Sequence, residues 1–134
     1  MFKIANYFSM KCIMEIFIEK KSNNELSEND GKIFNFLTTY LEKNYKIKKI
    51  KDNYIFKSKN NKMIINEKNI LNIVKSKNYH TKNNAVMHFV LKSLNNKWSI
   101  EKKQHNYVFT KKHLNKTEYL SSDYILRFME TNFS

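Results

Sequence analysis

Small or conformationally special residues are few in this 134-residue chain, which has one glycine, no proline and two alanines. A single glycine excludes the glycine-rich loops that cradle phosphates in nucleotide-binding proteins. Cys12 is the only cysteine, so an intrachain disulfide is excluded and a reducing compartment is expected. We expect the Cys12 side chain to be a buried apolar group.

Long uninterrupted apolar runs are also missing. Residues 1–18 are largely apolar but are broken by charged residues such as Lys3, Lys11 and Glu15, which argues against a membrane span and against a secretory signal. We therefore predict no membrane partner. Residues 12–18 are apolar on both alternating faces and predict a buried strand, with an amphipathic helix over residues 2–18 as the alternative.

Residues that could carry catalysis are few and scattered. The 12 acidic residues show no cluster of carboxylates such as nucleases and glycosidases need. The four histidines show no recognised zinc-binding spacing; they are His80, His88, His105 and His113. We predict a protein that is not an enzyme, with no metal, no cofactor and no small-molecule substrate.

The distribution of charge is more informative than its total of +13. An excess of lysine and asparagine is what an AT-rich genome tends to encode, so the total alone says little about binding. Residues 1–31 hold four lysines and five acids, a net charge of −1, whereas residues 32–134 hold 21 basic residues and seven acids, a net charge of +14. Codon pressure acts along the whole chain, so this asymmetry favours a polyanionic partner.

An internal repeat organises the basic part of the chain. Residues 32–60 match residues 85–113 at an offset of 53 with eight identities, and the match resumes at an offset of 55. We predict an α+β protein in which two tandem α-β-β-(β)-α repeats pack with pseudo-twofold symmetry into one compact module, plus an N-terminal strand or helix. The predicted segments are an N-terminal segment and linker at 1–31, repeat 1 at 32–78 and repeat 2 at 84–134, with both repeats in one domain.

Changes of hydrophobic period predict the elements of each repeat. Apolar residues at helical spacing after Ile33 and Val86 predict opening helices, which should end near Asn44 and Asn96 in the left-handed conformation.

Period-two alternation then predicts hairpins with turns at residues 52–53 and 105–106, which would set Lys49 opposite Phe56 and Lys102 opposite Phe109. We expect the linkers at 19–31 and 76–84 to be exposed.

Each repeat should close with a short strand and a helix. The third strands are predicted at 63–65 and 118–120, and the closing helices at 67–75 and 122–131. Asn66, and Ser121 or Ser122, are the expected N-caps.

The lysines concentrate in the two hairpin segments. Residues 43–62 carry eight lysines against one acid, and residues 97–116 carry six against one. We expect the aromatic residues of the repeats to form the core and the lysines to bind phosphates, with low sequence specificity because lysine acts as a point charge. The candidate nucleic-acid-binding residues are Lys46, Lys48, Lys51, Lys57, Lys59, Lys102, Lys103, Lys111 and Lys112.

The stretch "KWSIEKKQHNYVFTKKHLNKTEYLSSDYILRFME", together with the depletion of Gly, Pro, Ala and Arg, resembles small lysine- and asparagine-rich proteins of large amoeba-infecting DNA viruses and their mobile elements. The lone cysteine and the interrupted apolar segment predict an intracellular protein. The resemblance implies a viral or mobile-element setting, in the host cytoplasm or a virion, with genome packaging as a task. We predict sequence-tolerant binding of nucleic acid, DNA before RNA and duplex DNA first. The alternative is a structural or adaptor protein of a virion or assembly, and a homo-oligomer fits either function.

Overall fold

The structure is a computed structural model that describes residues 28–74 and 84–133. Within these residues it contains four α-helices: α1 (Glu28–Glu42), α2 (Glu67–Ile73), α3 (Asn84–Asn95) and α4 (Ser122–Phe133). It also contains six strands: β1 (Lys46–Ile50), β2 (Asn53–Lys57), β3 (Lys62–Asn66), β4 (Ser99–Lys103), β5 (Asn106–Lys111) and β6 (Lys116–Ser121). The strands form one antiparallel sheet in the order β3-β2-β1-β4-β5-β6, so the expected α+β class is confirmed.

The core lies between the helices and one face of the sheet. Phe36 of α1 meets Phe56 edge to face with ring centroids 5.8 Å apart, and Phe89 of α3 meets Phe109 in the same way at 5.3 Å. Such aromatic pairs add stability beyond the area that they bury. The expectation that the repeat aromatics form the core is confirmed, and the buried ones include Tyr54, Phe56, Trp98, Tyr107 and Phe109.

The opposite face of the sheet, which we call the outer face, is turned away from this core. Side chains alternate between the two faces along each strand, so the neighbours of buried Ile47 and Tyr54 point outward. The outer face of the first hairpin carries both basic and aliphatic residues. Its residues are Lys46, Lys48, Ile50, Ile55 and Lys57.

Both hairpin turns lie one residue earlier than the sequence predicted. Ile50 pairs with Asn53, and the left-handed turn residues are Lys51 (φ 57°) and Gln104 (φ 58°), so the prediction that residues 52–53 and 105–106 form the turns is wrong. The observed register sets Ile47 opposite Phe56 and slides the pairing by two positions. Apolar cross-strand packing therefore outweighs the cost of roughly 1 kcal/mol for a left-handed residue that is not glycine.

The opening helices end close to the predicted positions. Asn44 takes the left-handed conformation (φ 67°), as expected, but in the second repeat Lys97 (φ 70°) does so instead of Asn96. The Asn96 side chain donates from Nδ2 to the Lys92 carbonyl at 2.8 Å. Asn96 thus caps the end of α3 through its side chain.

The first helix begins earlier than the sequence predicted. Residues 28–31 belong to α1 and Gly31 is buried within it, so the prediction that an exposed linker extends to residue 31 is wrong. Glu28 and Asp30 lie in the first helical turn, where carboxylates interact favourably with the helix dipole. These two acids therefore belong to the start of a helix and not to a linker.

The closing elements follow the prediction. The third strands form, and Asn66 Oδ1 accepts from the Lys68 amide at 2.9 Å at the start of α2. Ser121 Oγ likewise accepts from the Tyr124 amide at 3.1 Å at the start of α4. Both N-caps are therefore confirmed.

Several predictions concern residues outside the described part. They are the buried Cys12, the N-terminal strand or helix, most of the linker at 76–84, the last predicted residue of the first closing helix at 75, and His80. Within residues 28–74 and 84–133, no helix has the length and hydropathy that crossing a bilayer requires.

Residues at an offset of 53 meet at the centre of the sheet. Ile47 of β1 pairs directly with Ile100 of β4. Lys49 Nζ donates to Asn95 Oδ1 at 2.8 Å, and Lys102 Nζ lies 2.6 Å from Glu42 Oε1. Residues 42 and 95 differ by 53, as do residues 49 and 102. The two contacts are therefore reciprocal: each joins a lysine of one half of the chain to the equivalent helix-end position of the other half.

Candidate nucleic-acid interface

A groove of about 510 Å³ crosses the outer face of the sheet, and we call it the basic groove. Both halves of the chain contribute to its lining. The side chains of its described lining residues are basic, small and polar, or aliphatic, and none of them carries a carboxylate. They belong to Lys46, Lys48, Ile55, Lys57, Lys62, Lys97, Ser99, Thr110, Lys112 and His113.

The strand register explains why the lysines converge. Lys46 lies opposite Lys57, and Lys57 lies opposite Lys62, so three ammonium-bearing side chains cross β1, β2 and β3 in one row. We call these three residues the lysine row. Directly opposed like charges destabilise a sheet, and the row is therefore an unfavourable arrangement for the isolated fold.

The floor of the basic groove lies beside the lysine row. Lys48 is paired with Ile55, and Ser99 is paired with Thr110, all on the outer face. Lys97, two residues before Ser99, and Lys112, two residues after Thr110, line the other side together with His113. The groove is thus bordered by cations on both sides, with hydroxyl and aliphatic groups between them.

Charge in the basic groove is not compensated within the described part of the chain. The ammonium groups of the lysines that line it form no ion pair or hydrogen bond with other described residues. Glu101, the acid of the second hairpin, lies 3.3 Å from Lys103 and does not line the groove. The six lysines are Lys46, Lys48, Lys57, Lys62, Lys97 and Lys112.

Two candidate lysines lie on the core face instead. Lys102 pairs with Glu42 and lies 5.6 Å from the centroid of the Tyr107 ring. The Nζ atom of Lys111 lies 5.4 Å from the centroid of the Trp98 ring. Both lysines therefore contribute to packing around the core and are not brought together with the groove lysines.

The remaining candidates divide between the groove and its surroundings. Four of them line it: Lys46, Lys48, Lys57 and Lys112. Lys51 lies in the first hairpin turn, Lys59 in the β2–β3 connection and Lys103 at the end of β4, and none of these three lines the groove.

Sequence reasoning missed Lys62, Lys97 and His113 as lining residues. Lys62 was within reach, because the predicted third strand places it two residues before Ile64 on the same face. Lys97 and His113 lie in connections next to β4 and β5, where period-two alternation gives no direction for a side chain.

Perturbed pKa values are found on the core face of the sheet. The hydrogen bond to Glu42 raises the pKa of Lys102, and burial raises the pKa values of Tyr54 and Tyr107. Burial lowers the pKa of His88, which lies on α3. Among residues 28–74 and 84–133, no three His, Cys, Asp or Glu side chains lie close enough together to hold a metal ion.

Comparisons with protein-family models, with curated proteins and with solved structures find no match to this chain.

Proposed function

We propose that this protein binds nucleic acid without enzymatic activity and with little sequence preference, DNA before RNA, through the basic groove. The single observation that supports this most is the convergence of six lysines on one groove whose described lining residues include no carboxylate. Lysines bind polyanions by neutralising phosphates and releasing condensed counterions. The resemblance to proteins of large DNA viruses favours DNA and genome packaging as the setting.

The energetic cost of the lysine row supports a polyanionic ligand. A solvated lysine face that only improves solubility would place its charges apart or beside acids. Here Lys57 has a lysine directly opposite on each neighbouring strand. A bound phosphate backbone would turn this repulsion into attraction, so the arrangement makes physical sense in a complex.

We further propose that the two repeats pack about a pseudo-twofold axis between β1 and β4. Three observations support this: the Ile47–Ile100 pair, the reciprocal Lys49–Asn95 and Lys102–Glu42 contacts, and left-handed residues that recur at an offset of 53. A twofold interface brings together equivalent residues in this reciprocal way.

The groove itself does not obey this symmetry. The positions equivalent to Lys46 and Lys57 are Ser99 and Thr110, which are also in the lining. The duplicated scaffold would therefore carry one shared basic groove rather than two equivalent binding sites. This replaces the expectation of two separate basic hairpins with a single surface to which both contribute.

Two triple variants test the function. The first variant removes the lysine row and carries Lys46→Gln, Lys57→Gln and Lys62→Gln. The second removes three charges from helices α1 and α2 or their ends and carries Lys32→Gln, Lys43→Gln and Lys68→Gln. Titration of labelled duplex DNA by fluorescence anisotropy at one salt concentration should show at least a tenfold loss for the first variant and less than a threefold change for the second. Equal losses in the two variants would refute a dedicated groove.

The alternative function is a structural or adaptor role through protein–protein contacts. The observation in its favour is that β3 and β6 end the sheet and have one strand neighbour each among the described strands. Exposed Ile64 and Tyr119 lie on these edge strands, and exposed edges can pair with another chain. Under this alternative, sedimentation would show self-association that the lysine-row variant leaves unchanged, and no DNA would bind.

A further inference from the structure

We infer that the basic groove binds a single phosphodiester strand, laid across the β-strands, through its phosphates and not through its bases. This inference rests on the proposed function and specifies the ligand of the same site. The groove would then hold one sugar–phosphate backbone, which can belong to a single-stranded oligomer or to one strand of a duplex.

The two cationic borders define the path of the ligand. The lysine row crosses three strands on one side of the groove, and Lys97 and Lys112 lie on the other side. One border comes from the first half of the chain and the other from the second, and both line the same groove. Long lysine side chains from both borders can therefore reach the two sides of one backbone lying between them.

The described lining has no Phe, Tyr or Trp on which bases could stack. Proteins that hold single strands by their bases stack them mainly on such side chains, and the one ring among the described lining residues is the imidazole of His113. The aromatic residues of the described strands are buried on the core face, with the exception of Tyr119, which is 61% exposed on the edge strand β6. Phosphates are thus the part of a nucleic acid that this lining can recognise.

The size of the groove also favours one backbone. About 510 Å³ lies within the range of about 300–1,000 Å³ for sites that hold one small molecule. A duplex presents two backbones and a groove between them, so only one of its backbones would enter. Ser99 and Thr110 on the floor offer hydroxyl donors to phosphate oxygens that pass above them.

Oligomers with and without bases test the inference. Labelled oligothymidylate, an abasic oligomer with the same number of phosphates, and a duplex, each of about ten nucleotides, are titrated with the full chain, with the lysine-row variant and with Tyr119→Ala. We expect the abasic and thymidine oligomers to bind within threefold of each other, the lysine-row variant to lose at least tenfold for both, and Tyr119→Ala to change neither.

Each other outcome has a distinct meaning. A tenfold weaker abasic oligomer, or a tenfold loss in Tyr119→Ala, would overturn the inference because bases would then contribute, while nucleic-acid binding itself would stand. If the abasic and thymidine oligomers bound equally well, and the lysine-row variant bound both as tightly as the parent protein, the assignment to this groove would be overturned. Failure of all three ligands to bind would refute the proposed function together with the inference.

Discussion

Lys46 lies directly opposite Lys57 on the outer face of the sheet, and Lys57 is in turn opposite Lys62. Opposed like charges on neighbouring strands destabilise a sheet, whereas opposed unlike charges stabilise it. The same three residues line the basic groove. Stability and ligand binding therefore make opposite demands on this row, and substitutions in it should separate the two.

Reversing the central charge should stabilise the fold and weaken binding. Lys57→Glu replaces two repulsive cross-strand pairs with two attractive ones, which should raise the free energy of unfolding by about 0.5–1 kcal/mol. Urea denaturation measures this gain, and anisotropy with duplex DNA should show at least a tenfold loss of affinity.

Lys68→Glu is the matched control, because it makes the same charge change on α2, away from the groove. It should leave DNA affinity within about threefold of the parent protein, as a rim or distant charge does. A loss of stability in Lys57→Glu, or equal loss of binding in both variants, would contradict the cost assigned to the lysine row.

Lys102 should matter for stability and not for binding. Lys102→Met removes the 2.6 Å contact with Glu42 and the ammonium above the Tyr107 ring. Because Glu42 is largely exposed, solvent screening limits the loss to about 0.5–1 kcal/mol. Lys103→Met, at an exposed position, is the control for stability, and a selective loss of DNA affinity in Lys102→Met would show that this lysine faces the ligand.

The fold should lose stability in alkaline solution. Burial raises the pKa values of Tyr54 and Tyr107, and the bond to Glu42 raises that of Lys102, so all three hold their protons more tightly when folded. The stability gained from a raised folded pKa is complete below the unfolded pKa, about 10 for tyrosine, and is lost as the pH rises above it.

Urea midpoints measured from about pH 8 to about pH 11, a range that spans the tyrosine and lysine pKa values, should therefore fall at the upper end. Tyr54→Phe removes one of the three groups and should flatten the decline. A midpoint that does not change over this range would mean that these groups are not protected in the folded protein.

The Lys49–Asn95 and Lys102–Glu42 contacts join equivalent positions of the two repeats. A residue found at such a position in one repeat should therefore be accepted at the matching position of the other. Asn95 accepts a hydrogen bond from Lys49 where Glu42 pairs with Lys102. Lys49 already lies 3.6 Å from Glu67 Oε1. Asn95→Glu should therefore give Lys49 a second carboxylate partner and stabilise the fold by about 0.3–0.5 kcal/mol. A double-mutant cycle with Lys49→Met measures the coupling, and its absence would argue against equivalent packing of the two halves.

Hydrophobic period predicted most of the fold from the sequence. Alternation around Ile47 and Tyr54 correctly separated the core face from the outer face, and the caps at Asn66 and Ser121 were predicted from residue type. These features depend on local patterns, which a single sequence contains. The pairing of Ile47 with Ile100 depends on how distant segments pack. The sequence alone did not determine how the strands of the two repeats are arranged relative to each other.

The errors have two physical causes. In the hairpin turns tertiary packing overrode local preference, and among the lysines charge was considered without the strand register. Lys51 and Gln104 accept an unfavourable backbone conformation since the resulting register packs Ile47 against Phe56. Lys102 was a sequence candidate for binding, yet period two places it on the core face beside Tyr107. Charge identifies which residues can bind phosphate, but only the register identifies which of them share a surface.

The salt dependence of binding tests the central claim most directly. If the six groove lysines engage about six phosphates of duplex DNA, the logarithm of the affinity should fall against the logarithm of salt concentration with a slope of about −5. Removing Lys46, Lys57 and Lys62 should reduce this slope to about −2 or −3, because three fewer counterions are released. A slope that is the same in both proteins, or binding that does not depend on salt, would contradict the account.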